Sequence, residues 1–234
     1  MTPNKNSRPP AKRKSNKTLL LAIGILVIIL IAIGAYIVLG QLGNQPNTTP
    51  TPTPTPTPST SSTPSATTDP LYINPTKVLF QTSVGNITLE LRSDKPITTA
   101  NFKNLVQQGK YDGTVFHRVI AGFMIQGGAI SGSTLTIADE IGTNNHNVPY
   151  TISMAKTSDP NSATSEFFIN VGDNSKITYQ DGTTFDGTYT VFGKVVEGQS
   201  VVDAIANAQV TENAYHEASS PVNPVTVIKA TIVP

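Results

Sequence analysis

Leu19 to Leu39 (LLLAIGILVIILIAIGAYIVL) carries no charged residue, and this run constrains the chain more than any other. It matches the ~20 residues that a helix needs to cross the hydrocarbon core of a bilayer. A cleaved signal peptide is the competing reading, but its apolar region usually spans ~7 to 15 residues and precedes a small-x-small site. Leu39-Gly40-Gln41-Leu42-Gly43 offers no clear Ala-x-Ala, so the run is expected to be an uncleaved transmembrane signal anchor over 19–39. Lys5, Arg8, Lys12, Arg13, Lys14 and Lys17 precede it with no acidic residue among them. Basic flanks stay inside the cell, which makes 1–18 a basic cytoplasmic segment. A single-pass protein of the cell membrane follows, N-terminus cytoplasmic and everything beyond residue 40 extracytoplasmic.

Residues 40–75 read as a disordered linker. Thr-Pro repeats from Thr49-Pro50 to Thr57-Pro58 lead into a Ser/Thr-rich run, a composition that cannot bury apolar surface and favours extended polyproline II at ~3.1 Å per residue. Asn47-Thr48-Thr49 and Asn86-Ile87-Thr88 are glycosylation sequons in form only. The chain thus has one place for a sizeable core, 76–234. Of its 16 basic residues six lie in the first 18 positions, leaving ten against 15 acidic ones and a net −5 for the remainder. Such a body is a poor candidate for nucleic-acid binding. There is no cysteine, which removes disulfides, thiolate nucleophiles, thiolate metal sites and a lipoprotein anchor. His117, His146 and His216 lack close metal-ligand spacing, so neither a metal nor a cofactor is expected.

Within 76–234 the periodicity is mainly that of strands. Lys77–Gln81 and Ile87–Leu91 form a hairpin with its turn around Gly85-Asn86, and Ile87, Leu89 and Leu91 mark the buried face. A helix is expected from Thr98 or Thr99 to Gln108, capped by a threonine, carrying Phe102, Leu105 and Val106 inward and ended by Gly109. Residues 131–141 are polar, and Tyr150–Ala155 is a strand. Phe167, Ile169 and Val171 point one way and Phe168 and Asn170 the other; an aromatic sharing a face with Asn is expected to be exposed, as a binding surface. Val191–Val196 is a strand, Ser200 caps a short helix to about Asn207, and a last strand over Val225–Val233 turns Ile228, Ala230 and Ile232 to one side. Many short strands with two helices predict a mainly β domain, an antiparallel barrel or sandwich.

The densest stretch is Phe116-His117-Arg118-Val119-Ile120-Ala121-Gly122-Phe123-Met124-Ile125-Gln126-Gly127-Gly128. Alternation places Phe116, Arg118 and Ile120 on one face and Val115, His117 and Val119 on the other. Ala121-Gly122 then folds Phe123–Gln126 back beside them. This run, with Ser153-Met154-Ala155 and Ser165-Glu166-Phe167-Phe168-Ile169-Asn170 following in order, closely resembles the signature of the cyclophilin-type peptidyl-prolyl cis-trans isomerases. The resemblance covers roughly 77 to 234. It implies a closed eight-stranded antiparallel β-barrel with a helix over each end, acting on proline-containing segments of unfolded or exported proteins as a monomer.

The resemblance also implies roles. Arg118 is the donor to the proline nitrogen and Gln126 holds the substrate backbone, both as catalytic residues. Phe123, Met124 and Phe168 form the apolar slot for the proline ring, and Ala155 lies along the bound peptide. Glu166 stands where glutamine is usual and is expected to accept hydrogen bonds from Arg118. Phe185 falls on the rim, and Tyr189 stands where many eukaryotic members carry histidine. Thr184 replaces a rim tryptophan that contacts cyclosporin, Ala129 replaces a common aspartate, and residues 129–141 are shorter than the usual glycine-rich loop. His117 is assigned to the face opposite Arg118, with a structural role. Against the isomerase stands a second reading, a non-catalytic module that binds proline peptides as a chaperone or scaffold. Retention of Arg118 favours the enzyme, since peptide binding alone needs no donor at the proline nitrogen.

Overall fold

The structure is a computed structural model that describes residues 69–133 and 135–234. The candidate membrane span, the basic segment, the Thr-Pro repeats and the Asn47 sequon lie outside the described residues. Among the described residues no helix is long and apolar enough to cross a membrane. The chain is bonded to the folded body from Leu71 on, whose carbonyl accepts the Ser93 N–H at 3.0 Å, and the Tyr72 ring carries the Lys194 ammonium 3.9 Å above it.

Strand β1 (Lys77–Thr82) and β2 (Gly85–Leu91) form the first hairpin. Thr82 pairs with Gly85, so the turn is Ser83-Val84, two residues earlier than the glycine suggested. Gly85 is needed for another reason. Its φ is +139°, and a Cβ there would meet Val201 at 2.7 Å, where helix α2 (Gln199–Ala206) lies against β2. Ile87, Leu89 and Leu91 are fully buried as expected, but Thr88 and Arg92 are buried too. The latter is held by Asp94 and the carbonyl of Asn144.

Helix α1 (Pro96–Gln107) begins before the predicted threonine. Proline at the first helical position pre-sets φ and loses no hydrogen bond there. The orphan N–H groups are capped from afar: the Glu140 carboxylate accepts Ile97 N–H at 3.1 Å and Thr98 N–H at 2.8 Å. Likewise α2 is preceded by left-handed Gly198 at φ +87°, not capped by Ser200, which already lies within the helix.

Strands β3 (Arg118–Ile120), β4 (Met124–Gly127), β5 (Thr151–Met154), β6 (Phe167–Asn170), β7 (Val191–Glu197) and β10 (Val227–Val233) complete an eight-stranded sheet. Its order is β10-β1-β2-β7-β5-β6-β4-β3, every neighbour antiparallel. The expected closed barrel is an open, curled half-barrel. Its edges β3 and β10 share no ladder; the segment before β3 meets β10 and the residues leading into it, by the bridge Val115↔Thr226, the bonds of Phe116 N–H to Val225 O, Val227 N–H to Thr114 O and Gly113 N–H to Val227 O, and the bond of Ala230 N–H to Asp112 Oδ1. Beyond that point β3 lies instead against a small unpredicted sheet of β8 (Val210–Glu212) and β9 (Ala218–Pro221).

The core fills the concave side. Phe102 of α1 sits 5.0 Å from the rings of both Tyr111 and Phe192, and Phe167 is ringed by Phe80, Tyr111 and Phe116. Phe116 and Val119 share this core, so the predicted alternation fails before β3, where residues 116–117 stand outside any ladder. In β10 a bulge has the same effect. Thr82 pairs with Val227 and Gln81 with Lys229, so Ile228 is the extra residue. It is 59% exposed while Val227 and Ala230 are buried, and the predicted shared face of Ile228 and Ala230 is lost.

Candidate active site

The site lies on the convex face of β3, β4 and β6, opposite the core. The β3–β4 hairpin turns at Ala121-Gly122, where Gly122 takes φ +71°, and its register sets Arg118 across from Gln126. Arg118 Nη1 donates to Gln126 Oε1 at 3.3 Å, and Gln126 Nε2 donates to Glu166 Oε2 at 2.8 Å. His117 Nε2 comes within 3.5 Å of the same carboxylate oxygen. His117 therefore belongs to the polar edge of the site rather than to the opposite face. Its Nδ1 is buried with no protein partner.

Glu166 is not the partner of Arg118 that the sequence suggested. Arg118 Nε and Nη2 each donate at 2.8 Å to the carboxylate of Glu217, in the loop between β8 and β9. The resulting pair is bidentate, which fixes a guanidinium in plane as well as in place. Burial pushes the Glu217 carboxyl upward, but the hydrogen bonds and charge of Arg118 outweigh it, with help from Ser219 and Asn213, and the group lies below the usual glutamate range. Glu166 also lies below that range, held there by His117 and then by Gln126 against the opposing effect of burial.

Beside this edge lies an apolar cluster separate from the core: Met124, Phe168 and Phe185, with Ile120, Phe123, Ala155, Ile177, Tyr179 and Tyr189 around them. Phe185 is its centre, 4.6 Å from Tyr189, 5.6 Å from Phe123 and 5.8 Å from Phe168 between ring centroids. The rings meet mostly edge to face, the arrangement their quadrupoles favour. Two expectations change here. Phe168 is 4% exposed, not an open surface, and Phe185 is equally enclosed instead of sitting on a rim. The loop after β6 folds over the convex face and supplies Tyr179, Phe185 and Tyr189, which covers what would otherwise be solvent-facing. Burial raises the Tyr189 hydroxyl above the usual tyrosine value. Thr184 is exposed, and its hydroxyl accepts Gly187 N–H at 3.0 Å to shape that loop.

From Gln126 a polar cavity of about 200 Å³ continues along Ala155, Lys156, Thr157, Ser162, Thr164 and Glu166. Lys156 is held there by Asp139 at 3.2 Å. Every predicted site residue thus gathers in one region: Arg118, Gln126 and Glu166 at the polar edge, Phe123, Met124, Phe168, Phe185 and Tyr189 in the apolar cluster, and Ala155 between them. Glu217, His117 as an edge residue, and Tyr179 were not read from the sequence. Among the described residues no group of three or more His, Asp or Glu is arranged to hold a metal ion.

Such an arrangement sets a charged donor, Arg118, beside an apolar cluster. The comparisons agree with it. Residues 77–232 match the family model described as cyclophilin type peptidyl-prolyl cis-trans isomerase. A peptidyl-prolyl cis-trans isomerase of Streptomyces antibioticus is 45% identical over 163 residues, covering 67% of this chain and 98% of that protein. Isomerase B of Escherichia coli is 37% identical over 147 residues, covering 60% of this chain and 90% of its own length. A cyclophilin-type isomerase of Cryptosporidium parvum, known from its crystal structure, superposes with a TM-score of 0.57 at 26% identity, over 68% of this chain and 98% of that one. This chain belongs to the cyclophilin-type peptidyl-prolyl cis-trans isomerases and is an isomerase of that class.

Proposed function

We propose that the chain is a membrane-tethered isomerase of exported proteins, with Arg118 as the group that speeds rotation about the bond before proline. Amide resonance gives that bond a barrier of ~18 to 20 kcal/mol. In the twisted state the proline nitrogen regains a lone pair, and a donor aimed at it favours that state over either planar form. The observation that carries this reading is the Arg118 side chain, 25% exposed, on the same convex face as the Met124–Phe168–Phe185 cluster. The apolar cluster takes the proline ring, with Phe123 and Tyr189 as walls. Gln126 holds the substrate backbone, Glu166 orients Gln126 through its accepted bond, and Ala155 leaves room for the peptide. The reaction is non-covalent, and no cofactor enters it. A related cyclophilin-type isomerase of Cryptosporidium parvum was crystallised in the presence of the dipeptide Ala-Pro, which supports a proline-containing peptide as the ligand class.

The membrane part rests on the uncharged run Leu19–Leu39 behind six basic residues. The working form is a monomer tethered by the Thr-Pro linker, its domain outside the cell membrane and its clients the proline-containing segments of exported proteins. Protease applied to intact cells is expected to release the domain by cutting within 40–75. A soluble mature protein beginning near residue 44 would overturn the anchor. For the catalytic part, the full chain in detergent is expected to accelerate isomerisation of an Ala-Pro peptide. Tight peptide binding without acceleration would favour the non-catalytic chaperone.

A further inference from the structure

Arginine has five N–H groups, and protein acceptors take three of those on Arg118: Nε and Nη2 on Glu217, Nη1 on Gln126. The Glu217 side chain is only 8% exposed, so this is not a loose surface pair. It is also held from behind. Asn213 donates its amide to Glu217 Oε2 at 3.3 Å, and its own Oδ1 accepts the backbone N–H groups of Tyr215 at 2.8 Å and Glu217 at 3.1 Å. Asn213 N–H closes the loop on Glu217 O at 2.8 Å. Ser219, fully buried, anchors Asn213 through its hydroxyl at 3.1 Å. Two short strands and a ring of hydrogen bonds thus present one carboxylate to one guanidinium.

We propose that Glu217 is the positioning residue for the isomerase reaction: the β8–β9 hairpin holds Arg118 in plane so that its two unspent N–H groups face the proline amide. The proposal rests on the role of Arg118 given above. Neutralising the arginine with a carboxylate is compatible with that role, because the proline nitrogen gains a lone pair on twisting and no formal charge. What the reaction needs is a directed donor more than a net positive charge. Glutamine at 126 alone, bonded at 3.3 Å to one nitrogen, leaves the plane of the guanidinium free to swing.

The test compares Glu217→Ala, Glu217→Gln and Asn213→Ala with Arg118→Ala in the full chain, measuring kcat and KM separately on an Ala-Pro peptide, with thermal unfolding as the control for folding. Glu217→Ala is expected to lower kcat about 10- to 100-fold with KM within about twofold, because alignment matters in the transition state and little in the ground state. Glu217→Gln keeps the size and one acceptor oxygen, and is expected to lose about 3- to 10-fold; Asn213→Ala loses less in the same direction. In an Arg118→Ala background, Glu217→Gln should change kcat by less than about twofold, since the two act as one unit. If Glu217→Ala unfolds the domain, the isosteric glutamine variant decides. Unchanged or raised kcat in a folded Glu217→Gln, or effects of Arg118 and Glu217 that multiply independently, overturns the positioning role while leaving Arg118 intact. Full turnover in Arg118→Ala instead overturns the reading of Arg118 itself.

Discussion

Phe167 and Phe168 are neighbours on β6 and do different work. The pleat turns Phe167 into the concave side, where it touches Phe80, Phe102, Tyr111 and Phe116, and turns Phe168 to the convex side, against Phe185 and Tyr189. On β4 the same alternation sends Ile125 inward and leaves Met124 and Gln126 to the site. One face of the strand pair therefore makes the fold and the other makes the groove. Burial alone does not tell them apart, since Phe167 is 0% and Phe168 4% exposed; the identity of the neighbours does.

Substitutions can separate the two faces. The largest expected effect is on the convex side: Arg118→Ala should lower kcat by about 10³-fold while circular dichroism and the unfolding midpoint stay close to the parent. A comparable loss of peptide affinity at unchanged turnover would reassign the arginine to binding. On the concave side Phe167→Ala should cost about 3–5 kcal/mol, a large share of the ~5–15 kcal/mol available to a domain, with KM unchanged in the fraction that remains folded. Its neighbour gives the reverse pattern. Phe168→Ala should raise KM about 10-fold through lost contact with the proline ring, at a smaller cost in denaturant midpoint than Phe167→Ala. Equal stability losses for the two would erase the distinction between the faces.

The polar edge allows finer tests. Glu166→Gln keeps an acceptor for Gln126 and should stay within about twofold of the parent, whereas Glu166→Leu, leaving that amide unpaired, should lose about 10-fold in kcat/KM. For Glu217 the folded-state carboxyl lies below its ordinary range. Such a group adds stability above the unfolded-state pKa and loses it as pH falls through the folded one. The gap in Tm between the parent and Glu217→Gln should accordingly be full at pH 7, narrow once the pH falls below the unfolded glutamate value of about 4.3, and vanish only below the lower folded-state value. The smallest effect concerns Thr184: replacement by Trp should tighten cyclosporin binding by adding apolar contact, at the cost of the bond from Gly187 N–H.

Strand periodicity and three short segments, Phe116–Gly128, Ser153–Ala155 and Ser165–Asn170, made most of the site legible. Arg118, Gln126 and Phe168 lie within or beside short regular segments, where a residue's neighbours can be counted off. The failures occur where regularity breaks. Ile228 is an inserted residue in a bulge, Phe116 precedes the ladder it was assigned to, and α1 is capped by Glu140, more than a helix length away in sequence. Alternation makes Phe168 look exposed because its cover, Phe185 and Tyr189, comes from a loop whose path no alternation encodes. Glu217 is the extreme case: it lies 99 residues beyond Arg118, in a hairpin of two short polar strands with no motif of its own. A partner found only through tertiary folding leaves no local pattern.

The pairing of Lys77 with Val233 places the first and last strands of the body side by side, with their outer ends together. In mechanical terms this is a zipper rather than a lap joint. Force applied between residues 77 and 233 would load the β1–β10 bonds one at a time from that end, so β10 should peel away at low tension. A pull on residue 77 opposed by a client held near β4 and β6 meets a different resistance. In sheet order β2, β7 and β5 stand between those strands and β1, so the load passes in series through the β1–β2, β2–β7, β7–β5 and β5–β6 ladders. Under the tether proposed above, a client pulling at the site would load this path across the sheet and not the β1–β10 pair that a pull between residues 77 and 233 opens first.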